Sequence, residues 1–120
     1  MRNLHHAINY IELSVDDLAA TREFYSSAFG WEFNEYGPAY AGIRSSDGEG
    51  EVGGLNATEA PVAGGPLVLL YSDDLHATVS AVERAGGEIV AHPYDFPGGR
   101  RFHFRDPSGN VLGAWAEARP

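Results

Sequence analysis

A chain of 120 residues is long enough to bury one core and needs no disulfide or metal staple to hold it. Cysteine is absent, which excludes disulfide frameworks and thiolate metal sites. Seventeen acidic against eight basic residues give a net charge of −9, which repels a phosphate backbone and excludes nucleic acid as an expected partner.

No run approaches the roughly 18 apolar residues of a membrane span. The run MRNLHHAINYIELSVDD lacks the charged-then-apolar build of a signal peptide. A cytoplasmic protein with no membrane association is the expectation.

In chain order, Tyr10-Ile11-Glu12-Leu13-Ser14-Val15 alternates with a period of two and predicts a strand. Asp16-Asp17 supplies an N-cap and negative charge for a helix over 17–30. Gly30 closes that helix, and Leu18, Phe24, Tyr25 and Ala28 form its apolar stripe. Extended runs follow at Trp31 to Asn34, Tyr40 to Arg44 and Val52 to Ala57, with Asp47-Gly48-Glu49-Gly50 as a hairpin turn. Residues 58–65, rich in Pro, Gly and Ala, read as a linker. Leu67 to Ser72 is apolar on both faces and predicts a deeper strand. A helix over 74–86 follows, with Leu75, Val79, Val82 and Ala85 inward and Gly86-Gly87 as its stop. The last runs are Glu88 to His92, Arg101 to Arg105 and Val111 to Glu117, with Asp106-Pro107-Ser108-Gly109 turning between the final two.

The halves repeat. An offset of 57 lays Asp16-Asp17-Leu18 on Asp73-Asp74-Leu75, Ala20-Thr21 on Ala77-Thr78, Ala28 on Ala85 and Gly30 on Gly87. The expected class is α+β. Two tandem βαβββ modules, 4–57 and 66–117, flank the linker in a single domain over 1–120.

The runs DDLAATREFYSSAFGWEF and FRDPSGNVLGAW, set in this doubled unit, resemble the vicinal oxygen chelate superfamily. That group holds glyoxalase I, extradiol dioxygenases and bleomycin-resistance proteins. The resemblance covers nearly the whole chain and implies that each module forms half a barrel, the halves enclosing a cup for a small molecule. Alternate residues share a strand face. If Ile11, Leu13 and Val15 pack on the helix, then Tyr10, Glu12 and Ser14 face the cup. Leu67, Leu69 and Tyr71, together with Gly54, Asn56, Gly113 and Trp115, complete its walls. Tyr10, Tyr71 and Trp115, with Tyr40 and Tyr36 nearby, could stack on a flat ligand or serve as filling. On RRFHFRD, Arg101, His103 and Arg105 share one face and Phe102 and Phe104 the other; which face meets the cup stays open.

Metal-dependent members of the superfamily bring four side chains to a divalent ion, and the matching positions are Tyr10, Gly54, Leu67 and Gly113. Leucine and glycine side chains carry no donor, and a phenol with a pKa of about 10 is a poor ligand. No metal and no other cofactor is expected. His5, His6, His76 and His92 form no close pair on one face and read as solvent-exposed, His92 at a strand end before Pro93. Gly48 to Gly54 and Pro97-Gly98-Gly99 read as mobile loops at the rim.

Glu12, between Ile11 and Leu13, is the candidate catalytic residue, a general base if burial raises its pKa. One reading is metal-free binding of a small aromatic or carbonyl-containing molecule by Tyr10, Glu12, Tyr40, Asn56, Leu69, Tyr71, Arg101, His103 and Trp115. Another is a metal-independent glyoxalase-like lyase or isomerase, with Glu12 removing a proton and Tyr10 or an arginine stabilising the enolate. A third is a cup filled by its own side chains. The resemblance further implies a homodimer.

Overall fold

The computed structural model describes residues 3–58, 60–61 and 65–118, so residues 59 and 62–64 of the linker lie outside the described residues. The first half runs β1 (Ile11–Ser14), α1 (Leu18–Phe29), β2 (Phe33–Glu35), β3 (Tyr40–Arg44) and β4 (Glu51–Asn56). The second runs β5 (Leu69–Tyr71), α2 (Leu75–Arg84), β6 (Glu88–Phe96), β7 (Gly99–Arg105) and β8 (Val111–Glu117). Their sheets have the same order, β1-β4-β3-β2 and β5-β8-β7-β6. In each, the first strand is parallel to the last and the other pairs are antiparallel. This is the α+β, doubled βαβββ architecture that the repeat implied.

The second aspartate of each pair caps its helix. The Asp17 side chain accepts from the Ala20 amide at 3.0 Å, and that of Asp74 from the Ala77 amide at 3.2 Å. Gly30, at a left-handed φ of 73°, ends α1 by returning its amide to Ser26.

Three expectations are corrected. Pro93 does not end its strand: β6 continues to Phe96, its pairing with β7 shifting between Ala91 and Tyr94, the kind of irregularity that tolerates a residue without an N–H. His92 therefore lies within a strand, exposed. The loops are shorter than expected: Pro97-Gly98 is a tight turn that pairs Phe96 with Gly99, and Gly53 and Gly54 are buried inside β4. Ile11 does not pack on a helix but is 39 % exposed, because β1 is an edge strand from which only Leu13 and Val15 reach inward.

The main core joins the modules. Phe24 and Tyr25 of α1 sit in one cluster with Leu75 and Val82 of α2, Phe102 and Phe104 of β7, and Leu112 and Ala114 of β8. Each of these phenylalanine, leucine and valine side chains contributes about 1.5–3 kcal/mol on burial. A smaller cluster of Val15, Ile43 and Leu55 backs the first sheet. The turn between β7 and β8 locks the two halves. Tyr25 donates to Asp106 Oδ2 at 2.8 Å, the Thr21 and Ser108 hydroxyls pair at 2.6 Å, and Asn110 Nδ2 donates to the Ser14 carbonyl at 2.8 Å. No buried side-chain nitrogen or oxygen lacks a partner among the described residues. No described helix is long and apolar enough to cross a membrane.

Candidate functional site

Because the helices and the shared core occupy one side of each sheet, the opposite sides are left to polar and aromatic residues. On the first sheet, register places Glu12 opposite Gly54, Gly54 opposite Gly42, and Tyr40 opposite Asn56. The phenols of Tyr10 and Tyr40 meet at 2.5 Å. Tyr40 donates to Glu12 Oε2 at 3.0 Å, and Asn56 Nδ2 donates to Glu12 Oε1 at 3.0 Å. Four of the expected ligand-binding residues thus form one hydrogen-bonded group. The desolvation anticipated for Glu12 as a general base is missing, since Glu12 is exposed.

Glu51 belongs to the same group and was not foreseen. It accepts from Asn34 Nδ2 at 2.8 Å, from Tyr10 at 3.4 Å, and from Tyr36 through a short bond. The bulge between Ile43 and Arg44 sets its direction: a Cβ on Gly42 would lie 2.3 Å from Glu51 Oε2, so the carboxylate rests where Gly42 has no side chain. The Tyr36 hydrogen bond holds the Glu51 carboxyl below its ordinary pKa. Burial and the bonds to Tyr10 and Glu12 push the Tyr40 phenol well up, and the bond to Glu51 raises Tyr36. The phenols of Tyr36 and Tyr40 therefore stay protonated and donate, while Glu51 stays anionic and accepts.

On the second sheet, Phe102 and Phe104 are fully buried, which turns Arg101 and His103 to the open face. Cross-strand register sets Arg101 against Trp115, His103 against Gly113, Leu69 against Gly113 and Tyr71 against Trp115. Trp115 is met edge-on by Tyr71 and Phe96, at centroid distances of 5.1 and 6.2 Å. Arg101 Nε donates to Tyr94 Oη at 2.5 Å, and Tyr94 Oη lies 3.2 Å from His103 Nε2. Burial, and then the Arg101 charge, lower the His103 pKa. Tyr94 and Phe96 were missed because Pro93 masked the alternation on either side of Asp95.

The expected residues thus gather as two clusters, Tyr10, Glu12, Tyr40 and Asn56 on one sheet and Leu69, Tyr71, Arg101, His103 and Trp115 on the other. No hydrogen bond or ring contact joins them among the described residues. Both clusters are open to solvent; Tyr10 is 41 % and Tyr71 53 % exposed. Two grooves are walled largely by other residues, with Tyr71 shared. One of about 540 Å3 is lined by Trp31, Arg44, Leu70 and Tyr71, and one of about 230 Å3 between the modules by Ile11, Leu13, Trp31, Val52, Val68 and Leu70.

A divalent ion held at the four matching positions does not fit these side chains. A Cβ on Gly54 would stand 2.0 Å from Tyr40 Oη and 2.8 Å from Tyr10 Oη, so a phenol pair fills that place. A Cβ on Gly113 would stand 2.6 Å from Leu69 Cδ2. No group of three or more His, Asp or Glu suited to a metal occurs among the described residues. His5 and His6 stack at 3.7 Å and are exposed, and His76 is exposed on α2.

The family model described as Glyoxalase/Bleomycin resistance protein/Dioxygenase superfamily matches residues 7–113. Among curated proteins, "Putative glyoxylase CFP32" of Mycobacterium bovis is 29% identical over 119 residues, covering 92% of this chain and 46% of its own length. The chain therefore spans about half the length of the first curated relatives it matches. A glyoxalase-related enzyme from Fulvimarina pelagi superposes with a TM-score of 0.77 at 19% identity, covering 93% of this chain and 88% of the other. TnmS3, an antibiotic binding protein from Streptomyces sp. CB03234, superposes with a TM-score of 0.72 at 21% identity, covering 98% and 100%. At these identities the solved structures establish a common fold.

Proposed function

The chain belongs to the glyoxalase/bleomycin resistance protein/dioxygenase superfamily, and from that premise we propose that it binds a small, flat aromatic or carbonyl-containing molecule on its open strand faces without a metal ion. The observation that carries this reading is the phenol pair of Tyr10 and Tyr40 over Gly54. It occupies a position at which metal-dependent relatives would supply an ion ligand, and it offers hydrogen bonds there instead. Trp115, Tyr71 and Phe96 supply rings against which a planar molecule stacks. Among the described residues, neither face carries a serine or threonine hydroxyl hydrogen-bonded to a histidine or carboxylate side chain. TnmS3, of the same fold, is an antibiotic binding protein, which accords with binding rather than turnover.

The protein acts as a homodimer in this reading. β1 and β5 are sheet edges, and beside them Leu4, Ile8, Ile11, Val52 and Leu67 are between 39 and 88 % exposed. A second copy would cover these side chains and satisfy the open edges. Light scattering on the eluting protein should give about twice the 12.9 kDa chain mass.

A melting screen with aromatic acids, quinones and phenols, with and without chelator, tests the binding reading. A ligand at one hundred times its Kd stabilises by about 2.7 kcal/mol, and chelator should change nothing. A chelator-reversible rise with added divalent ion would contradict the metal-free reading. Catalysis by Glu12 has weaker support, because that carboxylate is exposed and already accepts from Tyr40 and Asn56. Glu12→Gln should leave the affinity for a neutral ligand within about threefold, roughly the 0.6 kcal/mol of one exposed hydrogen bond.

A further inference from the structure

All eight basic residues of the chain are arginines, and those in the described residues are not equivalent. Arg22, Arg44, Arg100 and Arg105 each pair with a carboxylate, Glu35, Glu32, Asp95 and Glu88 respectively. Arg84 stands exposed at the end of α2. Arg101 alone lies half-buried with no carboxylate beside it, although the chain carries seventeen acidic residues. Its guanidinium carbon lies 5.4 Å from the Tyr94 ring centroid and 5.2 Å from that of Phe96. Among the described residues only its Nε is engaged, donating to Tyr94 Oη at 2.5 Å. Four guanidinium N–H groups remain.

The bond from Arg101 also fixes the groups next to it. An arginine N–H only donates, so Tyr94 Oη accepts there and its own proton is free for His103 Nε2, 3.2 Å away. With that proton given to Nε2, the neutral imidazole carries its own on Nδ1, a second donor on the same face. Gly113 gives the ring room: a Cβ there would lie 3.0 Å from His103 Cδ2. Trp115, opposite Arg101 in register, continues the face as an aromatic wall with Tyr71 and Phe96.

We propose that Arg101 and His103 form an anion subsite on this wall, and that the ligand is a planar aromatic acid whose carboxylate sits on the Arg101 fork while its ring lies against Trp115. This rests on the reading of the open faces as ligand-binding, and it deepens that reading by fixing charge. A guanidinium fork matches a carboxylate in two parallel hydrogen bonds, which a neutral amide of the same shape cannot reproduce. Lysine would keep the charge and lose the fork.

The test uses two probes of one shape, 2-naphthoate and 2-naphthamide, titrated into the full chain at pH 7.5 by calorimetry. The acid should bind at least about tenfold more tightly than the amide, the discrimination expected of one charge-assisted hydrogen bond or more. Arg101→Gln should abolish the preference, bringing the ratio of acid to amide affinity to about one. Arg101→Lys should retain part of the preference, and either variant serves if the other fails to fold. Arg105→Gln, on the same strand face but paired with Glu88, should leave the preference intact. Equal binding of acid and amide by the wild type, or a preference that survives Arg101→Gln, overturns the anion subsite while the aromatic reading stands. Binding of neither probe at millimolar concentration overturns both.

Discussion

Replacing Tyr25 by Phe deletes one oxygen from the joint between the modules. Tyr25 is fully buried and Asp106 is 3 % exposed, with 2.8 Å between the hydroxyl and Oδ2. Without the hydroxyl, Oδ2 keeps only Asn110 Nδ2 at 3.3 Å, while Oδ1 still accepts from the Ser108 and Asn110 amides at 2.9 and 3.0 Å. A lost hydrogen bond to a charged acceptor costs about 1.5–3 kcal/mol. An unfolding entropy of about 2.1 cal/mol/K per residue gives roughly 0.25 kcal/mol per degree for this length, hence a fall in Tm of about 6–12 °C. The pH dependence has a definite sign. Burial raises Asp106 above its ordinary 3.8 despite the Tyr25 bond, which lowers it. Stability from this group is thus full below pH 3.8 and is lost as pH rises through the folded pKa. The variant loses a bond that is stronger to the charged form, so its deficit should shrink as pH falls toward 4. Calorimetric melts at pH 7 and pH 4.5 measure both effects. A variant melting within 2 °C of wild type at pH 7, by the ~0.25 kcal/mol per degree above, or a deficit growing in acid, would refute the reasoning.

The adjacent glycines of β4 should respond differently to alanine. At Gly53 the new methyl would lie 2.1 Å from the Ile11 carbonyl, which is backbone, so Gly53→Ala should break the pairing with β1 and cost about 3 kcal/mol or more. At Gly54 it would meet the mobile ends of Tyr40 and Tyr10, so Gly54→Ala should cost about 1 kcal/mol while separating the two phenols, a change read by the ultraviolet absorption of tyrosine. Asp74→Ala should cost about 1 kcal/mol in a denaturant melt, because Asp74 caps α2, and Asp73→Ala should cost much less. Glu51 is held below its ordinary 4.5, so its hydrogen bonds stabilise the fold above that pH and are lost as pH falls through the lower folded value. Glu51→Gln should therefore flatten the acid limb of the stability curve, measured by denaturation at pH 3 to 6.

Local chemistry was the legible part of this chain. The matching aspartates at 16–17 and 73–74, the glycine at 30 and the period-two runs mark elements that short-range physics builds, and they occur twice. The joint was not legible. Tyr25 reads as one more residue of an apolar stripe and Asp106-Pro107-Ser108-Gly109 as one more hairpin turn; that the two meet across 81 residues is a property of packing. The site divides in the same way. Phase along β1, β4, β5 and β8 brought Tyr10, Glu12, Asn56, Leu69, Tyr71 and Trp115 to the open faces, because alternation fixes side-chain direction. It failed where the ladder is irregular. The bulge at Ile43 and Arg44 turns Glu51 over Gly42, and the shift around Pro93 carries Tyr94 and Phe96 to the second face.

Ligand binding on the open strand face is tested most directly by the two indole N–H signals of the 15N-labelled protein. Trp115 lies on that face between Tyr71 and Phe96, whereas Trp31 stacks on Tyr25 at 4.5 Å beside the core. Titration with 2-naphthamide should shift the Trp115 signal in a saturable way and leave Trp31 unmoved. A saturable shift of Trp31 alone would place the ligand in the groove between the modules and contradict the account, as would a titration that moves neither signal.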